Sequence, residues 1–189
     1  MARPLDQVPS GGNPSLDGQL LPFAEWSLDG AADIHLLSMK DGADRVLVKS
    51  PEFELNASFS PDARFVAYVS TELGTPEVFI RPVVGEGGVR RVSVEGGIEP
   101  HWSPNGELFF RKGTSVLAVD VRTQPDLVVG TPRTLFEGPY VLSGIWDRNY
   151  DVTADGQRFL MVRQADASDS TVRLNIVVNW LKELKEKTR

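Results

Sequence analysis

The sequence predicts an all-β fold of four repeated antiparallel sheets, arranged as the blades of a β-propeller. Three observations predict it: a short turn unit that recurs along the chain, the spacing of its copies, and a high content of turn-forming residues. The 189 residues include 17 Gly and 13 Pro, a density that suits many short strands better than long helices. This length suits one ordinary domain.

The turn unit is clearest as Ser60-Pro61-Asp62-Ala63 and returns as Ser103-Pro104-Asn105-Gly106. Weaker copies are Ser15-Leu16-Asp17-Gly18 and Thr153-Ala154-Asp155-Gly156. Pro presets φ at the second turn position, Asp or Asn accepts a turn amide, and Gly takes a positive φ. Each unit therefore predicts a tight hairpin. Successive copies lie about 45 residues apart, which is typical of one four-stranded propeller blade.

An apolar strand and then a third strand follow each turn unit. The second strands are predicted at 19–24, 65–69, 108–111 and 159–162, and the third strands at 33–38, 77–82, 115–121 and 171–178. A fourth strand begins with Arg45, Arg91 and Arg133 in the first three repeats. The blades are therefore expected at approximately 13–49, 56–95, 99–137 and 149–178.

The last repeat supplies three strands, and residues 3–8 are interpreted as an orphan outer strand that completes its sheet. This predicts a closed ring of four blades. Three alternatives stay open: two chains pairing as half-rings into eight blades, a piece of a longer ring, or an open sandwich. In residues 179–189, Trp180, Leu181 and Leu184 fall on one face, which predicts a short amphipathic C-terminal helix capped by Asn179.

Composition excludes several classes of function. The net charge of −6 and the pI of about 5.0 argue against nucleic acid as a partner. No apolar run reaches the length of a membrane span, and residues 1–12 lack the apolar segment of a signal peptide. With no Cys, disulfides, thiolate catalysis and Cys-zinc sites are excluded. The cellular compartment is left open.

Several segments resemble the WD-like propeller repeats of TolB: "FSPDARFVAYVS" (59–70), "EVFIRP" (77–82) and "HWSPNGELFF" (101–110). Similar repeats occur in tricorn-type and prolyl-oligopeptidase propellers. The segments "RNYDVTADGQRFLMV" (148–162) and "IVVNWLKELK" (176–185) resemble the C-terminal propellers of bacterial Ser/Thr protein kinases and related sensor proteins. The resemblance implies a propeller that binds or senses, with any catalysis on another domain. The sequence has no kinase signature, and family propellers often have more than four blades.

Polar residues recur at the start of each innermost strand. Four residues before the Ser or Thr of the turn units stand Gly11, Asn56, Glu99 and Asn149, and two before it stand Asn13, Ser58, His101 and Asp151. Strand residues two apart face the same way, so both sets are expected at the central channel. The oxygen ligands predicted for a channel Ca²⁺ are Asn56, Glu99, Asn149 and Asp151. Lactonase and gluconolactonase propellers hold a channel Ca²⁺ with a similar type of ligand. The alternative is polar residues bonded to turns or to solvent.

His101 is the candidate general base, because its register places it near such a channel metal. The alternative is a partly exposed histidine bonded to a loop. His35 lies within an apolar third strand and is interpreted as structural. Tyr140, Trp146 and Asp147 belong to the longest insertion, residues 138–148, and are predicted to bind ligand as a lid over the channel mouth.

The leading function is a non-catalytic propeller that binds a protein or a small molecule, either alone or as the terminal part of a larger sensor protein. The alternative is a Ca²⁺-dependent hydrolase of lactones or esters, in which the cation polarises the carbonyl and His101 or a carboxylate activates water. A third interpretation is a half-ring that works only as a homodimer. Neither nucleic acid nor membrane is expected as a partner.

Overall fold

The computed structural model describes residues 10–27, 30–85, 88–142, 144–163 and 175–178. These residues form four antiparallel sheets, which we call blades 1 to 4 in chain order. Within the described residues there are strands and no helix. This part of the chain therefore contains no helix that is long and apolar enough to cross a bilayer.

Each blade is built in chain order from its innermost strand outward. Blade 1 consists of β1 (Ser10–Gly11), β2 (Leu20–Trp26), β3 (Ala32–Ser38) and β4 (Asp44–Val48). Blade 2 consists of β5 (Glu54–Phe59), β6 (Phe65–Ser70), β7 (Glu77–Pro82) and β8 (Arg90–Arg91). Blade 3 consists of β9 (Ile98–Trp102), β10 (Glu107–Lys112) and β11 (Ser115–Arg122), with β12 (Val128–Val129) and β13 (Arg133–Glu137) both paired to β11. Blade 4 consists of β14 (Tyr150–Val152), β15 (Arg158–Met161) and β16 (Asn175–Val178).

The recurring turn units connect the first and second strands of each blade. In blade 2, the Asp62 carboxylate accepts hydrogen bonds from the Ser60 hydroxyl (2.7 Å) and the Arg64 backbone N–H (3.2 Å). Asp17 and Asp155 do the same in blades 1 and 4. Because Asp accepts both bonds, one side chain closes the turn from inside.

The turn of blade 3 carries Asn105 instead of Asp, and its hydrogen bonds differ. Asn105 Oδ1 accepts the Glu107 N–H, while its amide nitrogen donates to the Glu107 carboxylate. Ser103 Oγ is buried and has no hydrogen-bond partner among the described residues. The Asn105 turn thus keeps the backbone hydrogen bond of the Asp turns and lacks their bond from the Ser or Thr hydroxyl.

The cores lie between the blades, because the side chains of each strand alternate between the two neighbouring sheets. Leu108 and Phe110 of blade 3 pack with Ala67 and Ile80 of blade 2. Phe109, which lies between them in the sequence, packs with blade 4, and its ring lies 5.1 Å from that of Phe159. The blades therefore stack face to face, as the predicted propeller requires.

The predicted all-β propeller fold is confirmed, with differences at the outer strands. The predicted fourth strand of blade 2 reached Val94, but β8 ends at Arg91. The reason is that the Ser93 hydroxyl takes the place of a backbone carbonyl of the strand ladder. It accepts the Val78 N–H at 2.7 Å and donates to Glu77. The strand predicted at 3–8 and the helix predicted at 179–189 lie outside the described residues.

Candidate functional site: the channel mouth

Two cavities lie along the innermost strands. The first turns of all four blades surround a cavity of about 220 Å³, with Leu16, Pro61, Pro104 and Ala154 in its lining. At the opposite end of the same strands lies a cavity of about 350 Å³, which we call the mouth cavity. Its polar and aromatic lining includes Asn13, Asn56, Ser58, Trp146, Asp147 and Arg148.

The loop of residues 138–148, which we call the mouth loop, joins blade 3 to blade 4 but reaches blades 1 and 2. Trp146 stacks on Trp26 with ring centroids 5.4 Å apart, and it meets Phe53 edge-on at 6.0 Å. The Asn56 side-chain amide donates a 2.6 Å hydrogen bond to the Ile145 carbonyl. The loop therefore crosses the mouth, and it adds Trp146, Asp147 and Arg148 to the cavity wall.

Asn56 and Glu99 occupy the same position in neighbouring blades and share an unusual backbone. Each has a φ of 56°, and each lies in a break of the register between the innermost strand and the next one. Two residues there oppose one residue of the neighbouring strand, which is the definition of a β-bulge. Asn tolerates this left-handed conformation better than most residues, whereas Glu is strained in it.

Glu99 is fully buried between blades 3 and 4. Its carboxylate lies 3.9 Å from the Arg111 guanidinium, which is also fully buried, and it accepts the Asn149 backbone N–H at 3.3 Å. Arg111 also donates to the Val141 carbonyl at 2.7 Å. Burial lowers the pKa of Arg111 from its ordinary value, and Glu99 opposes that shift. Both partners belong to blade 3, and their further hydrogen bonds to Asn149 and Val141 tie this blade to the start of blade 4 and to the mouth loop.

His101 lies between the two cavities, against Arg148 and Asp151. Arg148 donates to His101 Nδ1, so the ring proton is on Nε2, which lies 3.7 Å from the Asp151 carboxylate. Burial and the Arg148 charge lower the pKa of His101 to about 4, although Asp151 opposes them. The imidazole is therefore neutral near pH 7, and its lone pair is already engaged by Arg148.

The four residues predicted as calcium ligands are spread over separate contacts. Glu99 is paired with Arg111, Asp151 lies 3.4 Å from the Arg148 guanidinium, and the Asn56 amide holds the mouth loop. Side chains of a strand stand perpendicular to the sheet, so Glu99 points between two blades and lines neither cavity. As placed, these residues do not fit a calcium ion, because both carboxylates of the set already have arginine partners. Calcium binding stays a prediction.

The three residues predicted to form a lid do not all lie in the same place. Trp146 and Asp147 line the mouth cavity. Tyr140 lies apart from them at the base of the loop, where its ring meets Phe136 edge-on at 6.0 Å. Arg148, to which the sequence analysis assigned no role, lines the mouth cavity and contacts both His101 and Asp151. The only feature of the sequence that could have indicated this place in the site was its position directly after Asp147, at the end of the insertion.

No protein-family model matches the sequence, and no curated protein matches it significantly. Solved structures match the fold. TolB from Acinetobacter baumannii aligns with a TM-score of 0.63 at 19% identity, over 89% of this chain and 43% of that one. An oligogalacturonate lyase in complex with manganese aligns at 0.67 and 13% identity, over 95% and 53%.

A gluconolactonase from Xanthomonas campestris aligns with a TM-score of 0.55 at 15% identity, over 85% of this chain and 56% of that one. The chain thus spans about half the length of these structures. None of the three is a kinase, so the kinase-linked context stays an expectation. The sheet order, the turn units and these alignments agree on one conclusion: the chain has a TolB-like β-propeller fold.

Proposed function

We propose that the chain is a non-catalytic binding module and that its mouth cavity takes a polar segment of a protein partner. The observation that carries the proposal is the mouth loop, which crosses from blade 3 to blades 1 and 2 and is anchored there. It brings an exposed aromatic ring, Trp146, and the charged Asp147 to a cavity already lined by Asn13 and Ser58. Aromatic and polar groups of this kind favour recognition of a peptide.

The same contacts weigh against catalysis. A general base needs a free lone pair near the substrate, and the His101 lone pair accepts from Arg148. A carboxylate that activates water has to reach the water, whereas Glu99 is buried in an ion pair. These contacts support binding over turnover.

The competing candidate is a Ca²⁺-dependent hydrolase of lactones or esters. It is favoured by the alignment with a gluconolactonase. The test is hydrolysis of a panel of lactones and aryl esters, with Ca²⁺ and with EDTA, on protein whose mass is known from light scattering. We expect no turnover above background. Calcium-dependent turnover would overturn the binding proposal, and a mass of twice 20.8 kDa would support the homodimer expected for paired half-rings.

A direct test of binding uses a random peptide library selected against the immobilised chain. Peptides that occupy the mouth cavity are expected to bind the Trp146→Ala variant about tenfold or more weakly than the wild type, because a buried aromatic contact dominates such an interface. Leu73→Ala is the matched control, since Leu73 is exposed on blade 2 to a similar degree and lies outside both cavities. Selected peptides that bind Trp146→Ala as tightly as wild type would place recognition elsewhere.

A further inference from the structure

Blade 1 carries a histidine flanked by two carboxylates, none of which lines the mouth cavity. His35 lies in the middle of β3, Glu25 on β2 and Asp44 on β4. The His35 Nδ1 atom lies 2.9 Å from Asp44 Oδ1, and its Nε2 atom lies 3.3 Å from Glu25 Oε2. The three side chains therefore form one continuous cluster across three strands.

The strand register explains why these residues meet. His35 pairs with Phe23 on β2 and with Val46 on β4. Glu25 and Asp44 each lie two residues from those partners, so they flank His35 diagonally on the same face of the sheet. The neighbouring residue Ile34 packs toward blade 2, so alternation turns the cluster to the face away from blade 2.

We propose that Glu25, His35 and Asp44 bind a divalent transition-metal ion, with Zn²⁺ as the reference cation. One ligand atom from each residue lies within 4.8 Å of the others. Tetrahedral zinc with ligands about 2.0 Å away needs them about 3.3 Å apart. Asp44 and Glu25 lie on different ring nitrogens of His35, so the imidazole and one carboxylate have to rotate before all three residues contact one ion. An imidazole nitrogen with carboxylate oxygens suits zinc and its neighbours in the transition series better than Ca²⁺ or Mg²⁺.

Burial and charge at the cluster also suit a cation. The side chains of His35, Glu25 and Asp44 are 13%, 26% and 25% exposed, so an ion can enter and a water molecule can take the fourth position. The two carboxylates bring negative charge to the cluster, which a divalent ion offsets. The Phe23 ring, 5.3 Å from the imidazole, limits the orientations of the histidine. The ion would link β2, β3 and β4, and would stabilise blade 1 by mass action.

The experiment is calorimetric titration of the tag-free chain with ZnCl₂, accompanied by thermal unfolding at increasing zinc concentration. The chain has no Cys and only two His, so thiolates do not compete and the two imidazoles can be followed separately by NMR. We expect one saturable equivalent, a rise in Tm, and a change in the His35 signal. His35→Gln and Asp44→Asn should each weaken binding at least about tenfold.

The matched control is His101→Gln, which removes the other histidine and should leave zinc affinity unchanged. Circular dichroism shows that each variant is folded; if His35→Gln is not, Asp44→Asn with its intact imidazole decides the result. The proposal is overturned if zinc does not saturate below about 1 mM, if binding survives both His35→Gln and Asp44→Asn, or if zinc perturbs the His101 signal instead.

Discussion

Glu54 is a buried carboxyl group whose ionisation opposes folding at neutral pH. It is 1% exposed at the start of β5, and its Oε1 atom accepts from the hydroxyls of Ser50 (2.7 Å) and Ser70 (2.9 Å). Its Oε2 atom has no hydrogen-bond partner among the described residues. Burial raises the pKa of Glu54 to about 7, since the two hydroxyl donors offset only part of the desolvation.

The pKa of Glu54 predicts how its contribution to stability changes with pH. Between about pH 4.5 and 7 the unfolded chain has lost this proton while the folded chain keeps it, so stability falls as pH rises. Glu54→Gln removes this loss. Relative to wild type, we expect the variant to gain up to about 3 kcal/mol in free energy of unfolding between pH 4.5 and 7. Urea unfolding across that range measures the difference.

The comparison has to be made against wild type at each pH. His101 has its pKa lowered to about 4, so its contribution is present above about pH 6.5 and is lost as pH falls toward 4. That slope is opposite to the slope of Glu54 and masks it in the wild-type curve. Glu52→Gln, a change at an exposed neighbour, is the control. A Glu54→Gln curve parallel to wild type would contradict the assignment.

At the scale of single elements, the bulge in β5 holds the mouth loop in place. Asn56 combines a left-handed backbone, with φ at 56°, and a side-chain hydrogen bond to Ile145. Two substitutions separate these roles, because Gly accepts this backbone and Ala does not. We expect Asn56→Ala to be about 1 kcal/mol less stable than Asn56→Gly in urea unfolding.

Both Asn56 variants lose the bond to the mouth loop, so both should be cleaved faster than wild type by trypsin after Arg148. The readout is the rate of cleavage under native conditions, where local opening decides accessibility. Cleavage after Arg64, in the turn of blade 2, serves as the internal reference. Equal stability of Asn56→Ala and Asn56→Gly would contradict the strained bulge, and unchanged cleavage would contradict the anchoring role of the amide.

At the scale of the whole molecule, neighbouring blades are joined by apolar cores. Between blades 3 and 4 there is also the buried Glu99, which pairs with Arg111 inside blade 3 and accepts the Asn149 N–H at the start of blade 4. Removal of one partner leaves the other charge buried without compensation. We therefore expect Glu99→Gln and Arg111→Met each to lower the free energy of unfolding by about 3 to 5 kcal/mol. The double variant should lose clearly less than the sum of the two, as a double-mutant cycle in urea would show.

The control cycle uses Lys112 and Glu95, an exposed pair 3.3 Å apart, whose coupling should stay within about 0.5 kcal/mol. Additive losses for Glu99 and Arg111 would contradict a direct pair. The result also bears on calcium. If Glu99 works as a metal ligand, Glu99→Gln should hardly change the free energy of unfolding when calcium is removed.

The fold was predictable because its signals are local. A turn such as Ser60 to Ala63 is closed by its own side chains and determines where one strand ends and the next begins. A nearly continuous apolar run such as Phe65–Ser70 then indicates a strand with two faces that must both be covered. The same reasoning failed where contacts between distant residues decide: it placed Glu99 at the channel, but the side chain is buried against Arg111.

The sequence by itself determined the repeat, the four sheets and the position of the mouth loop, because turn chemistry and strand periodicity act between residues close along the chain. Only the tertiary structure decided which polar side chains meet. The pairing of Arg148 with His101, of Glu99 with Arg111, and of His35 with Glu25 and Asp44 depends on strand register, on bulges and on the stacking of blades. Those relations bring together residues 9 to 47 positions apart, and no local pattern records them.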